Sequence, residues 1–114
     1  MRRVAAPRLT RRLTLEAPTA LADGGGGAGA GWVALGTLWA ELKPSSGREG
    51  VLAERAVATV THRVAVRHAP EASPRRPRPE QRLRLGSRVF DVLAVAEHPR
   101  SGYLTVWARE GVVS

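Results

Sequence analysis

Apolar and polar residues alternate along much of this chain, most clearly between Gly31 and Lys43. Leu38, Ala40 and Leu42 fall on one side of that run, and Thr37, Trp39, Glu41 and Lys43 on the other. A period of two residues is the pattern of a strand with two unlike faces. Pro44 ends the strand, because it has no N–H for the ladder and restricts Lys43 before it. Ser45, Ser46 and Gly47 then form a polar turn. Gly36, inside the run, marks a bulge or a barrel corner.

The same reading gives the other strands. In the run 56–67, Val60, His62, Val64 and Val66 share one face, and Thr59, Thr61, Arg63, Ala65 and Arg67 the other. Leu13-Thr14-Leu15, with Leu9, predicts a short strand ending near Pro18. Arg82-Leu83-Arg84-Leu85 alternates, Gly86-Ser87 turns, and the run 89–96 is almost continuously apolar apart from Asp91. That predicts a hairpin whose second strand is buried on both faces. After a turn at His98-Pro99-Arg100-Ser101-Gly102, Tyr103-Leu104-Thr105-Val106-Trp107-Ala108 is the last strand.

Between the strands, residues 20–31 carry G-G-G-G-A-G-A-G, which has no side chains to pack and predicts a flexible loop. Residues 45–55 are polar and compatible with one helical turn through Glu49, Leu52, Ala53 and Glu54. Pro70, Pro74, Pro77 and Pro79 forbid regular structure over 69–79 and predict an extended basic loop. The expected fold is all-β: a small β-barrel of five to six mainly antiparallel strands, with long loops and at most a short helical turn. Closure would also remove exposed strand edges. The expected division is a flexible basic N-terminal arm (1–12), a barrel domain (13–110) and a tail (111–114).

Composition narrows the function classes. At 114 residues the chain has room for one domain. It carries 18 Lys plus Arg against 10 Asp plus Glu, net +8, and every basic residue but Lys43 is arginine. Such a charge fits a polyanionic partner, usually nucleic acid, or an acidic protein. A GC-rich genome, which raises Arg, Ala, Gly and Pro together, accounts for it equally. There is no cysteine, so disulfides and thiolate metal sites are excluded. No apolar run approaches the roughly 20 residues of a bilayer crossing, and no apolar segment follows Arg2 and Arg3 as a secretory signal requires. The chain reads as soluble and not exported.

No constellation for catalysis stands out. His62, His68 and His98 lie far apart without metal-ligand spacing, and His62 fits a partly buried strand residue with a satisfied hydrogen bond. There is no G-x-S-x-G, and the glycine run lacks the spacing and lysine of a phosphate loop. Glu49 and Glu54 beside Arg48 and Arg55 read as surface ion pairs. Catalytic, cofactor and metal sites are therefore all expected to be absent. The aromatic residues Trp32, Trp39, Phe90, Tyr103 and Trp107 allow two readings. They are stacking platforms for single-stranded nucleic acid, or packing and interface anchors. The second is preferred, because their spacing does not match a ribonucleoprotein motif. With Leu38, Ala40 and Leu42 facing the core, Trp39 faces a neighbouring subunit.

Taken in order, these motifs resemble the phage head–tail joining, or head-closure (stopper), proteins of tailed phages and gene transfer agents. The residues that carry the resemblance begin with Trp39-Ala40-Glu41-Leu42-Lys43-Pro44, Ser46-Gly47-Arg48-Glu49 and Thr61-His62-Arg63-Val64-Ala65-Val66-Arg67. Arg82-Leu83, Gly86, Arg88-Val89-Phe90-Asp91-Val92 and Tyr103-Leu104-Thr105-Val106-Trp107 follow, and Asp23-Gly24 precedes Gly31-Trp32. The likeness spans about Leu13 to Glu110.

The resemblance implies a structural, non-enzymatic barrel that assembles into a homo-oligomeric ring, a hexamer or dodecamer. The ring would lie between a portal-side adaptor and a tail terminator protein, in the neck of a virion assembled in the bacterial cytoplasm. It would close the DNA exit channel after packaging and offer the tail a docking face, without a membrane or cofactor. The gating loop would run from Ser45 to Ala56, with Ser45, Ser46, Gly47, Arg48, Glu49, Gly50 and Arg55 as its gating residues. Arg2, Arg3, Arg8, Arg75, Arg76 and Arg78 would contact packaged double-stranded DNA non-specifically, or neighbouring rings. The segment 69–79 is longer and more basic than the family pattern. The alternative is a stand-alone OB- or SH3-like barrel that binds nucleic acid.

Overall fold

The computed structural model describes residues 4–19, 31–45, 51–52, 55–56 and 60–111. Eight strands run through them: β1 (Arg11–Thr19), β2 (Gly31–Pro44), β3 (Val51–Leu52), β4 (Arg55–Ala56), β5 (His62–Arg67), β6 (Arg82–Leu85), β7 (Arg88–Glu97) and β8 (Tyr103–Gly111). Six close into a barrel in the order β1-β2-β5-β8-β7-β6, every pairing antiparallel, while β3 and β4 pair only with each other. The all-β barrel expected from the alternation is the observed fold, at the six-strand end of the range.

The interior is what the alternation supplies. Leu13 and Leu15 of β1, Val64 and Val66 of β5, Leu83 of β6 and Leu104, Val106 and Ala108 of β8 are all buried, around a fully buried Phe90. On β2 the inward face is Leu38, Ala40 and Leu42, as the sequence indicated. Two bulges adjust the phase. Leu15 pairs with Gly36 but Glu16 with Ala34, so Leu35 is the extra residue on β2, beside the glycine singled out for this role. On β7 the extra residue is Leu93: Phe90 and Val92 point inward before it, and Val95 after it. Each insertion exchanges the faces of the strand beyond it.

The β6–β7 hairpin turns on Gly86-Ser87, with Gly86 at φ 60°. Positive φ at the first of two turn residues matches the twist of the flanking strands and costs a glycine little.

Several expectations are corrected. The helical turn expected within 45–55 is replaced by the β3–β4 hairpin, in which Val51 pairs with Ala56 and Leu52 with Arg55. A single turn fixes several residues for one hydrogen bond, whereas cross-strand pairing satisfies the backbone of so short a segment more readily. The strand expected from Ala56 is observed from His62, with residues 57–59 outside the described set. β7 is not buried uniformly on both faces, since Asp91, Leu93 and Ala94 keep partial exposure and Ala96 is exposed. The glycine-rich run 20–30 lies outside the described residues.

The proline-rich loop is not a solvated linker, because Pro77 is completely buried. The loop folds on itself through its own arginines. Arg76 donates to the Ala69 carbonyl at 3.0 Å, and Arg78 to the carbonyls of Glu71 and, at 3.2 Å, Ser73. Arg75 reaches across to the Thr37 carbonyl of β2 at 2.9 Å. Guanidinium groups here supply donors that prolines withhold.

Closure depends on the shortest ladder of the barrel, where Thr14, Leu15 and Glu16 of β1 pair with Arg84, Leu83 and Arg82 of β6. Leu15 and Leu83 seal its inner face. Outside, Glu16 accepts from Arg82 at 2.6 Å and Arg84 at 3.2 Å, with side-chain exposures of 13%, 16% and 31%. Removing the carboxylate leaves Arg82 mostly desolvated and without its ion-pair partner, so Glu16→Ala should destabilise the fold by about 1–3 kcal/mol. Urea unfolding checks this, and an unchanged midpoint would show that the seam does not depend on the pair.

Candidate functional site

The outer wall of β2, β1 and β6 carries an unusual set of side chains. Trp39 pairs with Arg12, Thr37 with Thr14, Ala34 with Glu16 and Trp32 with Pro18; Arg84 and Arg82 flank Thr14 and Glu16 on β6. The Leu35 bulge places Trp32 and Trp39 on the same wall; uninterrupted alternation would set them on opposite faces. Trp39 is 54% exposed and Trp32 40%. The Arg82 guanidinium stacks 3.9 Å from the Trp32 ring centroid while it holds Glu16, so Trp32 is fixed by a cation–π contact. Among the described residues no cation stacks on Trp39.

A second feature lies on the neighbouring wall. Residues 4–10 cross the outside of the barrel, held by the Arg8 amide donating to Glu41 Oε2 at 3.0 Å and by Arg100 donating to the Val4 carbonyl at 3.1 Å. Beneath this segment is a groove of about 620 Å³, lined in part by Pro7, Lys43, Arg63, His98 and Trp107. Ala65 and Thr105 also line it, and although outward-facing they are only 6% and 5% exposed. Trp107 Nε1 is buried without a hydrogen-bond partner.

The β5 entrance is a hydrogen-bonded junction. Thr61 takes the Glu110 amide on its hydroxyl at 2.7 Å, gives its own amide to the Ala108 carbonyl, and accepts the Ser45 amide on its carbonyl. Its hydroxyl also meets His62 Nδ1 at 2.9 Å, and the His62 ring stands edge-on to Phe90 at 5.0 Å. His62 is thus the half-buried, hydrogen-bonded strand residue the sequence suggested. Arg88 grips Glu110 with two bonds, of 2.9 and 3.0 Å. Burial pushes the His62 pKa below its ordinary 6.5, Glu110 opposes this, and Arg88 adds to it. The Glu110 carboxyl is held below its usual range, chiefly by the Arg88 hydrogen bond.

The residues singled out from sequence fall into separate regions. Arg2, Arg3, Ser46, Gly47, Arg48, Glu49 and Gly50 lie outside the described residues; Ser45 ends the β2 side of the loop, and Arg55 is in β4. Arg8 is exposed on the crossing segment, while Arg75, Arg76 and Arg78 are joined to carbonyls around the proline loop. Of the aromatic anchors only Phe90 is fully buried. Tyr103 is half-buried between Arg67, 5.7 Å from its ring, and His98 at 6.0 Å. Sequence reasoning missed the groove and the shared face of the two tryptophans. The first depends on contacts remote in sequence, and the second on a bulge whose presence, but not its effect on Trp32, was signalled by Gly36.

Among the described residues no three His, Asp or Glu side chains gather as metal ligands, and no helix is long and apolar enough to cross a membrane. What the geometry defines is a closed six-strand antiparallel barrel with elaborated outer walls. A family model for phage head completion proteins matches residues 4–111, and the chain belongs to that family. It is also similar to a solved chain from a structure described as the virion of a native gene transfer agent (GTA) particle. The two are 48% identical with a TM-score of 0.72, and the match covers 96% of this chain and 100% of the other. None of the curated proteins matches. The head-closure resemblance read from the motifs therefore holds over nearly the whole chain.

The lowered His62 pKa makes a pH prediction. The unfolded chain takes up this proton more readily than the folded one, so the contribution of neutral His62 is complete above pH 6.5. It is lost as pH falls from there through the folded-state value. Glu110 acts in a lower window, losing its contribution as pH drops from 4.5 through its own depressed value. The melting temperature should fall as pH drops below 6.5, and His62→Gln should flatten that decline. Equal slopes in both proteins would assign the proton to another group.

Proposed function

We propose that this chain is a structural component of the neck of a phage or gene transfer particle, where it completes the head after DNA is packaged. The observation that carries this reading is the match to phage head completion proteins over residues 4–111, joined to 48% identity with a chain of a gene transfer agent virion. The chemistry agrees with it. The fold is a closed barrel that leaves few strand edges to mispair, and a net charge of +8 suits a protein beside packaged DNA.

In this reading the subunits form a homo-oligomeric ring, a hexamer or dodecamer, between a portal-side adaptor and a tail terminator. The ring closes the exit channel and presents the docking face for the tail. It is assembled in the bacterial cytoplasm and acts without catalysis or cofactor. The loop between β2 and β5, from Ser45 to Ala56, is the gate. Arg2, Arg3 and Arg8 contact DNA phosphates or acidic neighbours, each weakly and without sequence preference; repetition around the ring multiplies the effect. Arg75, Arg76 and Arg78 keep their charge while bonded to carbonyls, so they add to the same field.

Replacing 46–55 by a tight turn tests the gate. The barrel should still fold, since loop closure entropy changes slowly with length. Particles that carry the shortened chain should package DNA and then lose it, which nuclease sensitivity of the particle genome measures. Full protection of the genome would place the gate in another segment.

A further inference from the structure

We infer that the β2–β1–β6 wall bearing Trp32 and Trp39 docks a different protein of the particle, one whose facing surface is acidic around an apolar pocket. The inference rests on the proposed place of this chain in a particle neck and names the kind of partner that one wall would meet.

Three observations carry it. First, the wall is built as an interface. Trp39 and Trp32, 54% and 40% exposed, stand at its two ends. At the rise of a strand they are about 20 Å apart, the span of a protein contact patch. Tryptophan and arginine are the residues most enriched at binding hot spots, and Trp32 is pre-set by the Arg82 stack and the Glu16 pair. Second, the wall is basic beyond its own needs. Glu16 is held by both Arg82 and Arg84, and Arg12, opposite Trp39, is exposed with no ion-pair partner among the described residues.

Third, the described residues of a second copy have little acid to offer this wall. Glu16 is bound to Arg82 and Arg84, Glu41 to Lys43 and the Arg8 amide, Asp91 to Arg109, Glu97 to His68, and Glu110 to Arg88. Among the described acids only Glu71 and Glu80 lack an ion-pair partner, and both lie on the proline loop. Two such walls, or this wall against another described surface of the same protein, would bring like charges together, which opposes association. Duplex DNA supplies the negative charge but has no pocket for two indole rings. Arg82, only 16% exposed and already bonded to Glu16, is poorly placed to take a phosphate. An acidic protein surface with an apolar centre satisfies both the charge and the rings.

Photo-crosslinking in assembled particles tests this. Thr14 lies between the two tryptophans on the wall, and Ala34 offers a second position on the same face. Each is replaced in turn by p-benzoylphenylalanine, the particles are irradiated, and the linked peptides are mapped by mass spectrometry. The expected result is a link from both positions to one other particle protein, at a peptide rich in Asp and Glu. Trp39→Ala and Arg12→Glu should each lower the yield by about tenfold while the melting temperature of the isolated protein stays unchanged, because both side chains are exposed. Links to another copy of this chain, links to DNA, or no link from a chain present in the particles would each overturn the inference. Absence of the chain from the particles would instead overturn the placement in the neck, on which the inference rests.

Discussion

A β-strand hides alternate residues, so one extra residue exchanges everything it hides for everything it shows. The barrel depends on two such insertions. At Leu35 the bulge lets β2 leave the barrel wall with Ala34 and Trp32 outside, on the face already occupied by Trp39 and Thr37. At Leu93 the bulge brings Val95 inward, after Phe90 and Val92, to meet Val106. Without the second, Ala94 would occupy the interior and Val95 the surface. The core and the outer wall are therefore settled together, by the same insertions.

Much of this was legible in the residues. The faces of β2 and β5 follow directly from their alternation, and the β6–β7 hairpin from Gly86-Ser87. What could not be read locally depends on partners distant in the chain. Trp32 reads as inward by strict counting from Leu38, and only its pairing with Pro18 past the bulge puts it outside. The loop 69–79 reads as extended because proline forbids regular structure. Its order comes from guanidinium groups bonded to carbonyls and from a buried Pro77, which no local pattern encodes. The hairpin at Val51–Leu52 and Arg55–Ala56 overrode a weak helical preference in the same way.

The surface chemistry follows from the same economy. Most described acids are consumed by cross-strand or local pairs with basic residues, so among the described residues the excess positive charge is left unmatched. That is a poor arrangement for a protein that only meets copies of itself. It suits one that sits among other molecules, and membership of the phage head completion family gives the setting of a phage-like particle built from several proteins.

The central claim is that this barrel works as a repeated unit at the neck of a particle. Imaging the neck of intact, DNA-filled particles at side-chain resolution tests it most directly. The account predicts copies of this barrel related by rotation about the channel axis, with the β2–β5 loops directed toward the channel and the Trp32–Trp39 wall covered by a different protein. A neck fully built from other chains, with this one missing from purified particles, would contradict it.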